Sequence, residues 1–183
     1  IMKRIILFLC LLIPTRVQAL VMWEKIDVDT STAIGHSAMV LDGYYRPQIV
    51  YEARYQANQY CLKFSSIPVN RPVGPAVEWY SHIITTSPAP LLYTALQIDN
   101  AGNPHISYYD SSIQALKYAR WTAGGWVTQT VEPAVCGYTS LALSTTNYPH
   151  IGYYATGVGL QYAVWDGTRW NISTLEFVSF RPE

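Results

Sequence analysis

The chain has 183 residues, with 12 basic and 12 acidic side chains and no formal net charge. Charged residues make up only 13% of it and aromatics 14%, with 15 Tyr and 6 Trp. That is the reverse of a disordered composition, and no basic patch is present, so nucleic acid is not an expected partner.

The first element is a leader. Lys3-Arg4 precede the nine apolar residues Ile5 to Ile13, and Pro14 ends the run. Nine residues are too few to span a bilayer, which takes roughly 20, but suit the apolar region of a signal peptide. Val17-Gln18-Ala19 offers small residues at the places a peptidase reads, so residues 1–19 are expected to be removed after Ala19. A buried N-terminal helix or strand is the other reading, and the two opening cations argue against it. The expected location is secreted or periplasmic. No later run approaches membrane length, so no membrane span is expected. Loss of Lys3, Arg4 and Arg16 leaves nine basic residues against 12 acidic.

The following elements repeat. Pro104-His105-Ile106-Ser107-Tyr108-Tyr109 matches Pro149-His150-Ile151-Gly152-Tyr153-Tyr154. Tyr93-Thr94-x-Leu96 matches Tyr138-Thr139-x-Leu141, and Leu116-x-Tyr118-Ala119-x-Trp121 matches Leu160-x-Tyr162-Ala163-x-Trp165. Trp126 then matches Trp170. A fainter copy upstream contains His36 to Met39, Arg46 to Tyr51, Leu62 to Phe64, and Trp79. Each copy holds four short β-type runs; in the second copy they fall near 94–99, 104–109, 115–121 and 126–132.

Turn chemistry separates the runs. Asp99-Asn100-Ala101-Gly102 reads as a hairpin loop capped by Asp99, with Gly102 at positive φ. The third copy has Ser144 and Asn147 there, and Asn tolerates the same backbone region. Gly124-Gly125 and Asp166-Gly167 mark the third hairpins. Along the second run, Ile106 and Tyr108 should face one way and His105, Ser107 and Tyr109 the other, with both faces covered.

Four antiparallel strands in a unit of about 45 residues define a β-propeller blade. The expected fold is therefore all-β. The expected organisation is a lone fourth strand within 20–35 (Trp23 to Asp29), then blades over 36–92, 93–137 and 138–183. A sandwich of irregular hairpins is the alternative fold, but it gives no reason for a repeat. Three blades and a strand do not close a ring. Either the natural protein is longer, which is the favoured reading, or identical chains complete the ring as a homo-oligomer. Pro68, Pro72, Pro75, Pro88 and Pro90 point to a long loop between the third and fourth strands of the first blade.

The strings Ser140-Leu141-Ala142-Leu143, Pro104-His105-Ile106-Ser107-Tyr108-Tyr109-Asp110 and Leu116-Lys117-Tyr118-Ala119-x-Trp121 resemble the tandem repeats of secreted bacterial β-propeller proteins. Those repeats are distant relatives of the sialidase-like Asp-box propellers. The resemblance is good over 93–176 and weak over 36–92. It implies the propeller fold and no particular activity, because that repeat group shares no catalytic residue.

The candidate chemistry is sparse. His105 and His150 recur, and a catalytic base is needed once whereas a packing solution is needed in every blade. Gln48 holds the place in the first copy, so a structural role comes first and a ligand contact second. Trp121, Trp165, Trp126 and Trp170 fit blade packing, yet an exposed indole also suits the apolar face of a sugar ring. Trp121 and Trp165, beside the turn, are the better stacking candidates, with Tyr109, Tyr154, His105 and His150 completing the expected ligand-binding set. No catalytic residue is expected. Asp42 and Asp99 read as turn caps rather than a glycosidase pair, Asp110 becomes Ala155, and the six arginines after the leader occupy no equivalent places. No metal spacing or cofactor motif occurs. Cys61 and Cys136 fall at unrelated points of the repeat, which argues against a disulfide even though export would permit one. The expected function is a non-catalytic binding or scaffold module for a glycan or cell-surface ligand. The alternatives are a protein-interaction platform or a fragment of a sialidase-like glycoside hydrolase.

Overall fold

The computed structural model describes residues 28–29, 34–68 and 79–177. The expected leader, all but Val28 and Asp29 of the expected first strand, and the chain beyond Phe177 lie outside them. The described residues form 12 strands and no helix, arranged as three four-stranded antiparallel sheets in simple sequence order. The first sheet is β1 (Ile34–Leu41), β2 (Pro47–Gln56), β3 (Gln59–Ser66) and β4 (Tyr80–Ser87). The second is β5 (Leu91–Ile98), β6 (Pro104–Asp110), β7 (Ala115–Thr122) and β8 (Gly125–Glu132). The third is β9 (Cys136–Leu143), β10 (Pro149–Ala155), β11 (Gly159–Trp165) and β12 (Trp170–Phe177).

The three sheets are blades. Their first strands, β1, β5 and β9, lie side by side, and each sheet packs face to face on the next without closing a ring. No helix among the described residues is long and apolar enough to cross a membrane.

Turn chemistry makes the blades alike. The loops after β1, β5 and β9 each close with a backbone bond of the same kind: Tyr45 N–H to Asp42 O, Gly102 N–H to Asp99 O, and Asn147 N–H to Ser144 O. The residue at the left-handed position is Tyr45 (φ 59°), Gly102 (φ 85°) or Asn147 (φ 64°). Gly and Asn adopt that region at little cost; Tyr45 does so against its preference. A bulge recurs too. The pairing of the third and fourth strands slips by one residue after Leu62, Leu116 and Leu160, one equivalent position in each sheet.

Both faces of the second strand are buried, as its uncharged sequence requires. Ile106 and Tyr108 join Val50, Leu62, Phe64 and Ile84 between the first two sheets. Tyr109 joins Cys136, Leu141, Ile151 and Tyr153 between the second and third. Val28 and Asp29 extend the same pattern before the first sheet. Val28 packs with Ile49, Tyr51 and Ala53, and Asp29 accepts a 2.8 Å bond from the Tyr51 hydroxyl. Val131 and Glu132 of β8 hold the matching places against the third sheet, where the Tyr153 hydroxyl donates to Glu132. Burial, together with the Asp29 charge, pushes the Tyr51 hydroxyl up to about 12, so it stays protonated as the donor.

Three details differ from the sequence reading. β5 begins at Leu91, because Tyr93 sits inside the strand at φ 54° and breaks the alternation that marks its start. Tyr138 does the same in β9 at φ 38°, and that strand begins at Cys136, ahead of the expected start of the third blade at 138. Pro88 and Pro90 lie between β4 and β5, so only Pro68, Pro72 and Pro75 fall between β3 and β4. Cys61 and Cys136 are free, buried thiols in different clusters.

One pair of equivalent residues measures what a polar group between blades requires. Thr139 Oγ1 donates to Tyr93 O at 2.6 Å and lies 2.8 Å from Ser107 Oγ. Thr94 holds the same place one blade earlier, where Val50 replaces Ser107, and its buried hydroxyl has no partner among the described residues. Thr94→Val should therefore leave stability unchanged or raise it by about 1 kcal/mol, while Thr139→Val should cost about 1–3 kcal/mol. Urea unfolding midpoints of the two variants check the contrast; equal losses would contradict it.

Candidate functional site

The edge carrying the first and third hairpins of each blade holds two cavities, one at each junction between sheets. The first, about 800 Å³, is lined by Asp42, Arg46, Gln48, Phe64 and His82 of the first sheet and by Trp121, Trp126 and the 98–104 loop of the second. The second, about 390 Å³, is lined by Asp99, Asn103, His105, Tyr118 and Gln129 of the second sheet and by Thr146 to Pro149 and Trp165 of the third. Position for position these are the same site. The first-loop acid, the residue four places later, the second-strand polar residue, the third-strand aromatic and the next blade's tryptophan all correspond.

The acids build the floors. Asp42 accepts from the Tyr44 and Arg46 amides at 2.8 and 3.0 Å, from Arg46 Nη2 at 2.7 Å and from Gln48 Nε2 at 3.1 Å. Asp99 accepts from the Ala101 and Asn103 amides at 2.9 and 2.7 Å and from Asn103 Nδ2 at 3.0 Å. Burial works to raise both acids, but these bonds outweigh it and hold both below the usual carboxylate value. Both remain ionised, with their lone pairs occupied by the chain itself.

His105 is 4% exposed and held from two sides. Its Nδ1 meets the Tyr118 hydroxyl, and its Nε2 lies 3.4 Å from Asp99 Oδ2. An ionised Asp99 accepts only from Nε2–H, which leaves Nδ1 to accept from the hydroxyl. Burial lowers the His105 pKa, partly offset by Asp99. His150 makes the same bond to Tyr162 in the third sheet, with Ser144 in place of the acid. In the first sheet Gln48 donates directly to Asp42, and Phe64 replaces the tyrosine, so no relay forms.

The tryptophans divide into two kinds. Trp126 packs edge-on against Phe64 of the preceding sheet at 5.6 Å, and Trp170 packs edge-on against Tyr118 at 5.3 Å. These are wedges between blades. Trp121 and Trp165 stand beside them, across the third hairpin, at 5.4 and 5.5 Å. Trp121 is 37% exposed and lines both cavities; its ring lies 5.8 Å from that of His82.

Of the residues expected to bind ligand, Trp121, Trp165 and His105 thus meet at the second cavity. Tyr109 lies at the far end of β6, buried in the cluster between the second and third sheets. Tyr154 lies at the far end of β10 and is 43% exposed, and His150 lines neither cavity. The sequence reading did not single out Arg46, Gln48, Phe64, His82 or Trp126 as a site. Alignment of Asp42-x-x-x-Arg46-Pro47-Gln48 with Asp99-x-x-x-Asn103-Pro104-His105 is the signal that finds the first two. Among the described residues, no group of three or more His, Cys, Asp or Glu could hold a metal ion.

No family model matches the chain, and no curated protein matches it. Several solved structures are similar to it, two of which are described below. One is a protein of unknown function from Dyadobacter fermentans, with 12% identity and a TM-score of 0.55, covering 91% of this chain. The chain spans 48% of that protein, about half its length. The other is a fucose lectin from Kordia zhangzhouensis in complex with methyl-fucoside, with 16% identity and a TM-score of 0.49, covering 75% of this chain and 97% of the lectin. At these identities the Dyadobacter likeness bears on the fold alone.

The His105 relay gives a pH signature. Below the ordinary value of 6.5 the unfolded chain takes up a proton on this histidine, while the folded chain resists it. Stability should therefore fall as pH drops through 6.5 toward the lowered folded value. His105→Gln, which copies Gln48, should flatten the dependence of the urea midpoint between about pH 7 and pH 5. An unchanged slope would show that His105 is not held neutral.

Proposed function

We propose that this protein is an exported, non-catalytic glycan-binding module that holds sugars in the cavities between its blades. The observation that carries the reading is the repetition of one cavity design at successive junctions. Each has an ordered polar floor, set by a capped acid, and a tryptophan wall supplied by the next blade. A sugar ring has an apolar face and a rim of hydroxyls, and it matches such a site by stacking on the indole and bonding at the floor. Repetition also favours binding over catalysis, because several weak copies of one site gain avidity on a multivalent surface. The saturated bonds of Asp42 and Asp99 leave neither poised as a general acid. Export rests on Lys3-Arg4 and the apolar run that follows.

Trp121 offers a direct test, since among the described residues it alone of the tryptophans lines both cavities. Glycan-array binding and sugar-dependent quenching of tryptophan fluorescence should both appear in the unaltered chain. Trp121→Ala should weaken binding about tenfold or more, and Trp165→Ala should weaken only the part due to the second cavity. Absence of any glycan signal, with a normal melting curve, would reject the reading.

A second reading, self-association, has its own observation. Val131 of β8 is 7% exposed against the third sheet, whereas Leu175, its equivalent on β12, is 61% exposed. Leu175 and Glu176 face outward where Val131 and Glu132 cover a neighbouring blade, and another copy of the chain would cover them. Light scattering should then give a discrete oligomer, which Leu175→Asp should dissociate; a monodisperse monomer would remove this reading.

A further inference from the structure

Resting on the reading that the cavities bind sugars, we propose that the cavity between the first and second sheets takes a neutral oligosaccharide of at least two rings, one of which stacks on Tyr44. The two cavities share a plan, but among the described residues only the first has an aromatic side chain from the tip of its own first hairpin loop.

Tyr44 sits in the loop after β1, where Ala101 and Thr146 hold the matching places in the other blades. It lines the first cavity and is 70% exposed, so it stands at the rim rather than in the wall. Its position is fixed from beneath. The backbone N–H donates to Asp42 Oδ1 at 2.8 Å, and the Arg46 guanidinium lies over one face of the ring, 4.9 Å from its centre. A cation held there orients the ring and leaves the other face open. Buried Arg46 is thus the support of the platform and not a contact for ligand. An exposed ring already held in one orientation loses little freedom when a sugar stacks on it.

The next residue shows that this loop is not built for turn stability alone. Tyr45 occupies the left-handed position at φ 59°, where the other blades carry Gly102 and Asn147, and it is 82% exposed. Neither the turn nor the core requires an aromatic side chain there, and Gly or Asn would adopt that backbone at less cost. Strain kept at an exposed residue is a mark of function rather than of packing.

Size and charge set the ligand. The first cavity is about 800 Å³ and the second about 390 Å³. Pockets of roughly 300–1,000 Å³ take ligands up to drug size, so the smaller cavity suits one sugar ring and the larger has room for a second. Trp121, 37% exposed, lines the first cavity from the second sheet, and Tyr44 lines it from the first. A chain laid across the junction therefore meets one aromatic ring from each sheet. A pyranose with all its substituents equatorial presents C–H groups on both faces, and a β-1,4-linked chain of such rings is flat enough to stack at both places. Among the described lining residues Arg46 is the only lysine or arginine, and it is paired with Asp42 at 2.7 Å. An acidic sugar finds no free lysine or arginine there.

The test titrates the full chain with glucose, cellobiose and cellotriose by calorimetry, with a glycan array run alongside. Cellobiose should bind about tenfold tighter than glucose. Tyr44→Ala, which copies Ala101, should remove most of that gain and leave the affinity for glucose unchanged. Its urea midpoint should match that of the unaltered chain, which separates a lost contact from a lost fold. The wild-type comparison stands even if the variant folds poorly. Equal affinity for the three sugars, a gain that survives Tyr44→Ala, or array binding to other glycans with none to these would overturn the oligosaccharide assignment and leave sugar binding intact. No binding of any sugar would overturn both.

Discussion

Sheets stacked face to face leave neither face to water, and most of this molecule answers to that constraint. A strand such as β6 must be uncharged on both sides, hence Pro-His-Ile-Ser-Tyr-Tyr, in which every polar group needs a partner from its own blade or the next. His105 turns to Tyr118 within its blade, Ser107 turns to Thr139 of the next, and Tyr153 turns to Glu132 of the one before. The repeat is conserved within the chain because the same interior has to be built at each junction. Where a partner is missing, as at Thr94 opposite Val50, the polar group is stranded rather than rehoused.

The edge that holds the cavities follows from the turns. A carboxylate that caps a hairpin must point back over its own loop, and the next polar side chain along the second strand meets it there. That geometry puts Asp42 against Arg46 and Gln48, and Asp99 against Asn103 and His105, without any demand from a ligand. The adjoining blade then supplies a wall, because its third hairpin carries the Trp121 or Trp165 indole. Fold and cavity are therefore one construction. The side chains that line the cavities differ between copies, as Arg46 and Asn103 or Phe64 and Tyr118 do.

How much of this could be read in advance depended on whether a feature repeats. The hairpins after the first strands, with Asp99 and Gly102 or Ser144 and Asn147, were legible because turn types demand particular residues. The two-sided burial of Ile106 to Tyr109 was legible from its lack of charge. The start of β5 was not, since Tyr93 at positive φ leaves no mark in an apolar sequence. At the site, Trp121, Trp165 and His105 were found as recurring residues. Arg46 was hidden because it breaks the recurrence. Tyr109 and Tyr154 lie at the ends of strands opposite the cavities, Tyr109 packed between sheets and Tyr154 exposed.

The two free cysteines carry a consequence of their own. Cys61 lies in the cluster on the outer side of the first sheet, and Cys136 lies in the seam between the second and third. Burial raises the pKa of both, that of Cys136 up to about 12, so neither thiol reacts while its surroundings stay closed. Each is thus a chemical clock for a different region. Alkylation timed under native conditions would record how often each seam opens, and so whether the blades come apart together or peel away from one end.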